Sequence, residues 1–355
     1  MTKQRLTWVD VTKGFLMILV VIGHFPGDLD YPLLQYIYWF HMPAFFVLSG
    51  LFFKPLAKDE PIRKAVKKRF MQLMIPYFFF LLVITCIRYI LAFAYGNTDI
   101  SWYMEDLSTL IIGGRYARGS YGVFWFTTVL FFTYLLFLLL TKYLNRFYQF
   151  FVLAICYIIA HIQSYYVIDV IGGSSAEASQ TIPILWNLDV TLITLVYFAI
   201  GYYAKDLFLH IRLPLWTICT VSSLLAMYLA WIDQFDYHLS LKFIRYNDAL
   251  MDLIIPFIFI ITIFGIFQFI TRFTPFKALK FIEMQSITIM YMHISVDKQM
   301  NNFFDYGLVG YTVLCLGISI IGSLVIKKFI PYGLFFIGDI RAKRPILFNS
   351  KLFIT

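Results

Sequence analysis

The sequence predicts an all-α membrane protein, a polytopic helix bundle with about ten transmembrane helices. Of its 355 residues, 61% are hydrophobic, 20% are aromatic and only 14% are charged, which is far from the composition of soluble domains. Apolar windows of about 20 residues recur along the chain, and each is long enough to cross a hydrocarbon core of about 30 Å. These observations favour a single integral membrane domain over residues 1–355.

Each predicted span is one of these apolar windows. They lie at 8–26, 33–53, 74–96, 122–141, 148–168, 183–203, 213–232, 249–271, 279–296 and 307–326. The first window follows two cations, as the apolar part of a signal peptide would. The next residues, GHFPGDLDYP, contain no small-residue cleavage site, so we expect this window to be retained as the first span.

The distribution of Lys and Arg predicts the orientation, because cytoplasmic loops of membrane proteins are enriched in both. With a cytoplasmic N-terminus, 22 of the 29 Lys and Arg residues fall in cytoplasmic segments. The outer loops then hold five of them, Arg115, Arg118, Lys242, Arg245 and Lys298. The sequence thus predicts that both termini are cytoplasmic. The net charge of +9 reflects this asymmetry and does not indicate binding to nucleic acid.

The cysteines predict neither a disulfide nor a metal site. All four lie within predicted spans and show no paired spacing; they are Cys86, Cys156, Cys219 and Cys315. We expect them to be small core residues, and we expect no metal in this protein.

Two ionisable residues stand inside the first predicted span, in the stretch KGFLMILVVIGH. Lys13 and His24 are 11 residues apart, so they share one helix face and lie about 16 Å apart along the axis. Asp10 lies on nearly the same face, where it can pair with the ammonium of Lys13. Charged groups inside a span usually face a protein interior or a water-filled cavity, so this stripe is a functional candidate. The alternative is that Lys13 snorkels to the inner interface and His24 merely occupies the outer one.

The stretch DVTKGFLMILVVIGH resembles the opening of the acyltransferase-3 family of integral membrane acyltransferases. In that family an Arg or Lys, ten residues and a His occupy the first span, and Asp10, Lys13 and His24 match the pattern residue by residue. The segment LWNLDVTLITLVYFAIGYYAK at 185–205 is similar to the branch that includes fucose acetylase-like proteins. Further segments agree in order, namely FHMPAFFVLSGLFF at 40–53, KRFMQLMIPY at 68–77, FWF at 124–126 and SITIMYMH at 286–293.

The resemblance implies transfer of an acyl group from a cytoplasmic acyl-coenzyme A, most often acetyl-CoA, to a sugar hydroxyl at or beyond the outer surface. The acceptor implied is a bacterial cell-surface or exported glycan, with a lipid-linked sugar as one form of it. The protein would lie in the cytoplasmic membrane, with lipids as its other partners. The sequence leaves the oligomeric state open.

Cations near the inner surface suit the cytoplasmic donor site that the resemblance implies, because coenzyme A is polyanionic. Asp10 stands beside the first of these cations. In the family a second arginine often follows three residues after the position of Arg69, and here that residue is Gln72. A phosphate contact is therefore either lost or supplied by a neighbouring lysine. The candidate donor-binding cations are Lys13, Lys67, Lys68 and Arg69.

Three histidines are candidates for catalysis. An acceptor hydroxyl needs a base at neutral pH, and we expect His24 to remove its proton as it attacks the thioester. A histidine that carries the acyl group itself is the alternative. His41 either orients His24, binds the sugar or is a packing residue. His293 shares a helix face with Asp297, which makes the two a candidate pair and Asp297 a further candidate for binding the acceptor. The other histidines are expected to be solvated, and they are His161, His210 and His238.

The outer loops supply the candidates for acceptor binding. The glycine-rich stretch GGRYARGSYG at 113–122 suits a lid over a carbohydrate, with Arg115 as a contact, although an ordinary interfacial loop also explains it. Trp125 follows this loop and is a candidate stacking platform for a sugar. Asp189, near the outer end of the sixth span, could accept hydrogen bonds from sugar hydroxyls.

Two other functions compete with the enzyme. A transporter or flippase for a polysaccharide or lipid-linked sugar also needs many spans with buried polar groups. A structural membrane subunit without its own chemistry is the third alternative. The first span favours the enzyme over these alternatives. Acyl transfer between compartments needs a donor-binding cation and an imidazole aligned across the bilayer, whereas a carrier does not specifically need them.

Overall fold

The computed structural model describes residues 6–27, 32–57, 59–172, 181–246, 248–303 and 305–339. Within these ranges the chain is helical, with an isolated β-bridge between Ser240 and Arg245. The α-helices are α1 (Thr7–Gly23), α2 (Leu33–Tyr38), α3 (His41–Leu51), α4 (Ile62–Ala94), α5 (Ile100–Ile112), α6 (Trp125–Tyr143), α7 (Arg146–Tyr165), α8 (Thr191–Tyr203), α9 (Lys205–Leu209), α10 (Leu213–Trp231), α11 (Met251–Ile270), α12 (Lys277–Met284), α13 (Ser286–Met300), α14 (Leu308–Phe329) and α15 (Gly333–Phe336).

Seven helical stretches of the described chain are long and apolar enough to cross a bilayer, and they coincide with seven of the predicted windows. The prediction of an all-α membrane bundle is therefore confirmed. The seven are Ile62–Ala94, Gly119–Tyr143, Arg146–Asp169, Leu185–Tyr203, Leu213–Trp231, Met251–Ile270 and Leu308–Phe329.

The other three windows differ from continuous spans of the usual length. The first forms α1, which has only 17 residues. The window at 33–53 is interrupted at Trp39 and Phe40, so α2 and α3 are separate helices. The window at 279–296 is interrupted at Gln285, between α12 and α13. Non-helical backbone at membrane depth is tolerated where it is buried in protein, and Trp39, Phe40 and Gln285 are all buried.

Helix α5 lies in a segment that the sequence analysis treats as a loop. It carries exposed apolar side chains on one side, at Ile100, Met104 and Ile111. Asp106 on its other side forms a salt bridge with Arg88 of α4 and accepts a hydrogen bond from the Tyr89 hydroxyl at 2.8 Å. Arg88, which lies inside a predicted span, therefore has an acidic partner within the protein.

Helix α1 lies among other helices, because it contacts α2, α3, α11, α12, α13 and α14. Gly14 allows α1 to approach α12 closely. A methyl group at this position would collide with the backbone carbonyl of Leu279 in α12. The helix that carries Lys13 and His24 is therefore held within the bundle.

Helices α3 and α8 cross closely through two glycines. A methyl group on Gly50 would collide with the carbonyl of Phe198, and one on Gly201 would collide with the carbonyl of Val47. Small residues at such crossings let two backbones approach, which is the main source of packing between helices in lipid. This crossing fixes α3, whose first residue is His41.

Candidate functional site

A cavity of about 340 Å³ lies at the end of the bundle where α1 ends. Small-molecule sites usually have volumes of about 300–1,000 Å³. The wall combines two imidazoles, three aromatic rings and two cations. The lining residues are His24, Tyr38, His41, Met42, Arg118, Gly119, Gly122, Trp125, Leu239, Ser240, Leu241, Lys242, Phe243 and Ile294.

His24 directly follows α1, and one hydrogen bond fixes its ring. Nδ1 lies 2.7 Å from the carbonyl oxygen of Val20, one turn earlier. A carbonyl oxygen can only accept, so Nδ1 carries the proton and donates it. The neutral ring is left with an unprotonated Nε2, which is the nitrogen that can act as a base.

His41 and His293 have the same hydrogen-bond pattern. Nδ1 of His41 lies 2.7 Å from the Ile37 carbonyl, and Nδ1 of His293 lies 2.8 Å from the Ile289 carbonyl. The rings of His24 and His293 meet edge to face, with centroids 5.1 Å apart. Nε2 of His293 is buried without a hydrogen-bond partner among the described residues. The structure thus brings all three predicted histidines together at one end of the bundle.

Lys242 joins two loops at the cavity. Its ammonium donates hydrogen bonds to the carbonyls of Gly122 at 2.9 Å and Ala117 at 3.3 Å. Its own carbonyl accepts a hydrogen bond from Nδ2 of Asn187 at 3.0 Å. Burial, and to a lesser degree the positive charge of Arg118, lowers the pKa of Lys242 to about 7. Lys242 therefore changes its charge near neutral pH.

The loop that carries Lys242 is held by buried polar groups. The Tyr237 hydroxyl donates a hydrogen bond to Oδ1 of Asp252 at 2.7 Å. Oγ of Ser164 donates to the Ile244 carbonyl at 2.8 Å and accepts from the Tyr246 amide at 2.9 Å. These bonds attach the cavity wall to α7 and α11.

His161 supports the same region, and the prediction that it is solvated is wrong. Its side chain is only 5% exposed, and its Nε2 lies 3.1 Å from Oδ2 of Asp252. His161 is buried because the end of α7 packs against Asp252 of α11 and is covered by the loop around Tyr246, whose ring contacts His161. His210 and His238 are exposed, as predicted.

Arg115 and Asp189, both predicted to contact the acceptor, pair with each other instead of lining the cavity. Arg115 is fully buried. Oδ1 of Asn187 accepts hydrogen bonds from the Arg115 amide at 2.9 Å and from its Nε at 3.2 Å. The backbone of Trp186 and Asn187 is left-handed, with φ of 56° and 57°, and this conformation places Oδ1 of Asn187 beside the two Arg115 donors. This buried cluster holds the glycine-rich loop against the start of α8.

The other two predicted acceptor-binding residues have different positions. Trp125, the first residue of α6, lines the cavity. Asp297 does not line it, and its Oδ1 accepts a hydrogen bond from the Tyr306 hydroxyl at 3.0 Å. Its expected partner His293 donates instead to a backbone carbonyl.

Comparison with known proteins identifies the family. A family model described as an acyltransferase domain, that of acyltransferase-3, matches residues 6–328. The chain belongs to the acyltransferase-3 family.

Two curated relatives of this acyltransferase-3 chain are nodulation proteins called NolL. The protein from Mesorhizobium japonicum is 31% identical over 155 residues, which is 41% of this chain and 38% of that protein. The protein from Sinorhizobium fredii is 31% identical over 113 residues, which is 29% of this chain and 30% of that protein. The chain therefore matches less than half the length of either relative. No solved structure matches it.

The residues predicted to bind the donor lie toward the opposite end of the acyltransferase-3 bundle. Lys13 is three turns before His24 on α1, and Asp10 is buried one turn earlier. Lys67 and Lys68 are exposed in the first turns of α4. The guanidinium of Arg69 lies over the ring of Tyr134 in α6, 4.5 Å from its centroid.

Sequence reasoning missed several residues of this acyltransferase-3 cavity. Arg118 belongs to the glycine-rich loop predicted to suit a lid over a carbohydrate, but the sequence predicts no individual contact for it. Lys242 counts only as an outer cation, and Tyr38 and Phe243 receive no role. The rarity of cations in the outer loops was the available signal. The two aromatic residues stand in a chain with many others, so composition could not distinguish them.

Proposed function

We propose that this protein is a membrane O-acyltransferase, which transfers an acyl group from acyl-CoA to a sugar hydroxyl of a cell-surface or exported glycan. The observation that carries the proposal is the state of His24. In a chain of the acyltransferase-3 family, this imidazole lines a cavity with Nδ1 bound to a carbonyl and Nε2 unprotonated. Acetyl-CoA is the donor that we favour.

His24 acts in this proposal as a general base. Nε2 takes the proton of the acceptor hydroxyl, whose oxygen forms a bond to the thioester carbonyl carbon. The carbon–sulfur bond then breaks, and the coenzyme A thiolate takes the proton from the imidazolium. The carbonyl of Val20 accepts from Nδ1 throughout, so it stabilises the imidazolium between the two steps.

In this proposal, the Lys13 end of α1 lies at the donor site and the His24 end lies at the acceptor site. Lys13, with Arg69 and its neighbouring lysines on α4, would bind the donor phosphates by charge and hydrogen bonds. Trp125 and the other aromatic rings of the cavity would pack against the sugar. The acyl group needs to reach His24 along about 16 Å of helix.

A substitution of His24 tests this proposal. We expect His24→Gln to lower acyl transfer from labelled acetyl-CoA by a factor of about 10²–10⁴, the usual contribution of a general base. Transfer would be measured in membranes with matched protein levels, using total glycan from the producing cells as acceptor. His238→Gln is the control, because His238 is exposed in the same protein. Normal transfer by the His24 variant would reject the assignment.

A further inference from the structure

Three of the five cations in the predicted outer loops meet at one turn, Gly119–Gly122. Arg118 and Lys242 both line the cavity there. Lys298 of α13 approaches from the other side, so that a methyl group on Gly119 would lie 2.5 Å from its Nζ. These cations come from three separate parts of the chain, and the fold alone brings them together.

Like charges at short distance repel, and burial increases the energy of each charge. Lys242 experiences both effects, because it is largely enclosed and lies near Arg118. Among the described residues that line the cavity, none carries a carboxylate. Of the acids in this region, Asp189 pairs with Arg115, and Asp297 accepts from Tyr306 and offsets part of the charge of Lys298, its neighbour in sequence.

The ammonium of Lys242 keeps capacity for a ligand. An ammonium has three N–H donors, and Lys242 uses two of them for the carbonyls of Ala117 and Gly122. Phe243 contacts both cations, with the Arg118 guanidinium 5.7 Å and the Lys242 ammonium 5.1 Å from its ring centroid. The cations are thus positioned on a wall that also carries an aromatic surface.

We propose that the acceptor is an anionic sugar, whose carboxylate or phosphate binds between Lys242 and Arg118 with Lys298 adding to the positive field. An anion at this place neutralises the repulsion between the cations and gains charge-assisted hydrogen bonds. The aromatic rings of Trp125 and Tyr38 contact the uncharged part of the sugar. This inference rests on the proposed function, because it assigns a charge class to the acceptor of that reaction.

Binding of simple sugars to the purified protein, without any donor, tests the inference. The probes are glucuronate, glucose 1-phosphate and glucose at equal ionic strength, measured by quenching of tryptophan fluorescence. We expect at least one of the anionic sugars to bind tenfold or more tightly than glucose. The two anions distinguish a carboxylate from a phosphate as the preferred group. Equal affinity for all three sugars, or no binding at all, would overturn the inference.

Substitutions locate the binding site. We expect Arg118→Gln and Lys242→Met each to remove most of the preference for the anionic sugar over glucose. Lys64→Met, on the exposed start of α4, is the matched control. Arg118 is exposed, so its variant stays informative even if Lys242→Met unfolds the loop. An unchanged preference in Arg118→Gln, or competition between glucuronate and acetyl-CoA for one site, would contradict the inference.

The two proposals can fail separately. If the protein transfers no acyl group but still prefers anionic sugars with these substitution effects, the proposed function falls and an anionic-sugar site remains. If it transfers acyl groups to neutral sugars only, the function stands and the inference falls.

Discussion

At the scale of single residues, Lys242 has two tasks. Its ammonium connects the Ala117–Gly122 segment to the loop before α11, and it also faces the cavity beside His24. The pKa of Lys242 is lowered to about 7, so a neutral form exists near neutral pH. The connection between the loops persists in that form, because a neutral amine still donates hydrogen bonds. The second task depends on its charge.

We therefore predict that the affinity for glucuronate falls as pH rises from 6 to 8. Lys242 has a pKa of about 7, so it is mostly charged at pH 6 and mostly neutral at pH 8. The charged groups and imidazole around it are Arg118, Lys298 and His24. A full requirement for the Lys242 charge would weaken binding by about tenfold across this range. Fluorescence titrations at several pH values measure the effect, and Lys242→Met should show a much flatter profile.

Arg115 allows a second test, because the sequence predicts a sugar contact and the structure shows a buried ion pair with Asp189. Removing one partner of a buried pair usually costs about 3–5 kcal/mol. We expect Arg115→Met to lose thermal stability in detergent by a corresponding amount. Arg118→Met, in the same loop but exposed, should keep the stability of the unchanged protein. A stable Arg115→Met with weaker acceptor binding would support the original prediction instead.

How well a site residue could be predicted depends on its separation in sequence from the other residues of the site. Spacing places Lys13 and His24 on one face of one helix, and the family resemblance favours a functional role for them. His41 lies in a segment that resembles the family, and Trp125 is selected because it follows the glycine-rich loop. Arg118 and Lys242 are far apart in sequence. They meet through the buried hydrogen bonds of Asn187 and through those of Lys242 to the Ala117 and Gly122 carbonyls. No sequence pattern indicates the left-handed backbone of Asn187.

At the scale of helices, the crossing of α3 and α8 controls the position of His41. We predict that Gly50→Val destabilises the protein by at least 1–3 kcal/mol, the usual effect of overpacking, because its side chain would collide with a backbone carbonyl that cannot rotate away. Gly317→Val is the control, since a methyl group on this glycine of α14 would meet nothing within 4 Å. The fraction of monodisperse protein after heating measures both variants, and equal curves would contradict the prediction.

Hydropathy predicted where helices lie better than where they break. A window average smooths over single residues, so it registers neither Phe40 nor Gln285 as a break. Pro43, in the first turn of α3, was a usable signal for a helix start, because proline is tolerated there and disfavoured farther inside. Helix α5 was missed for a different reason. It has 13 residues and two acids, Glu105 and Asp106, so it does not resemble a span.

At the scale of the whole molecule, the cavity end is predicted to face the outside of the cell. We expect His238→Cys, in a variant without the four native cysteines, to react with a membrane-impermeant maleimide added to intact cells. Lys64→Cys, exposed near the opposite end, should react only after permeabilisation. Labelling in the reverse pattern would place the cavity on the cytoplasmic side and would contradict transfer to an external acceptor.

The position of α1 inside the bundle has an electrical consequence. Between Lys13 and His24 the chain reads GFLMILVVIG, ten residues without a polar side chain, and six other helices contact this helix. If water reaches both ends, most of the transmembrane voltage falls across this short apolar layer, roughly half as thick as the surrounding hydrocarbon. Water on each side of the membrane can then contact one end of α1, while the apolar layer between the two ends keeps protons from crossing.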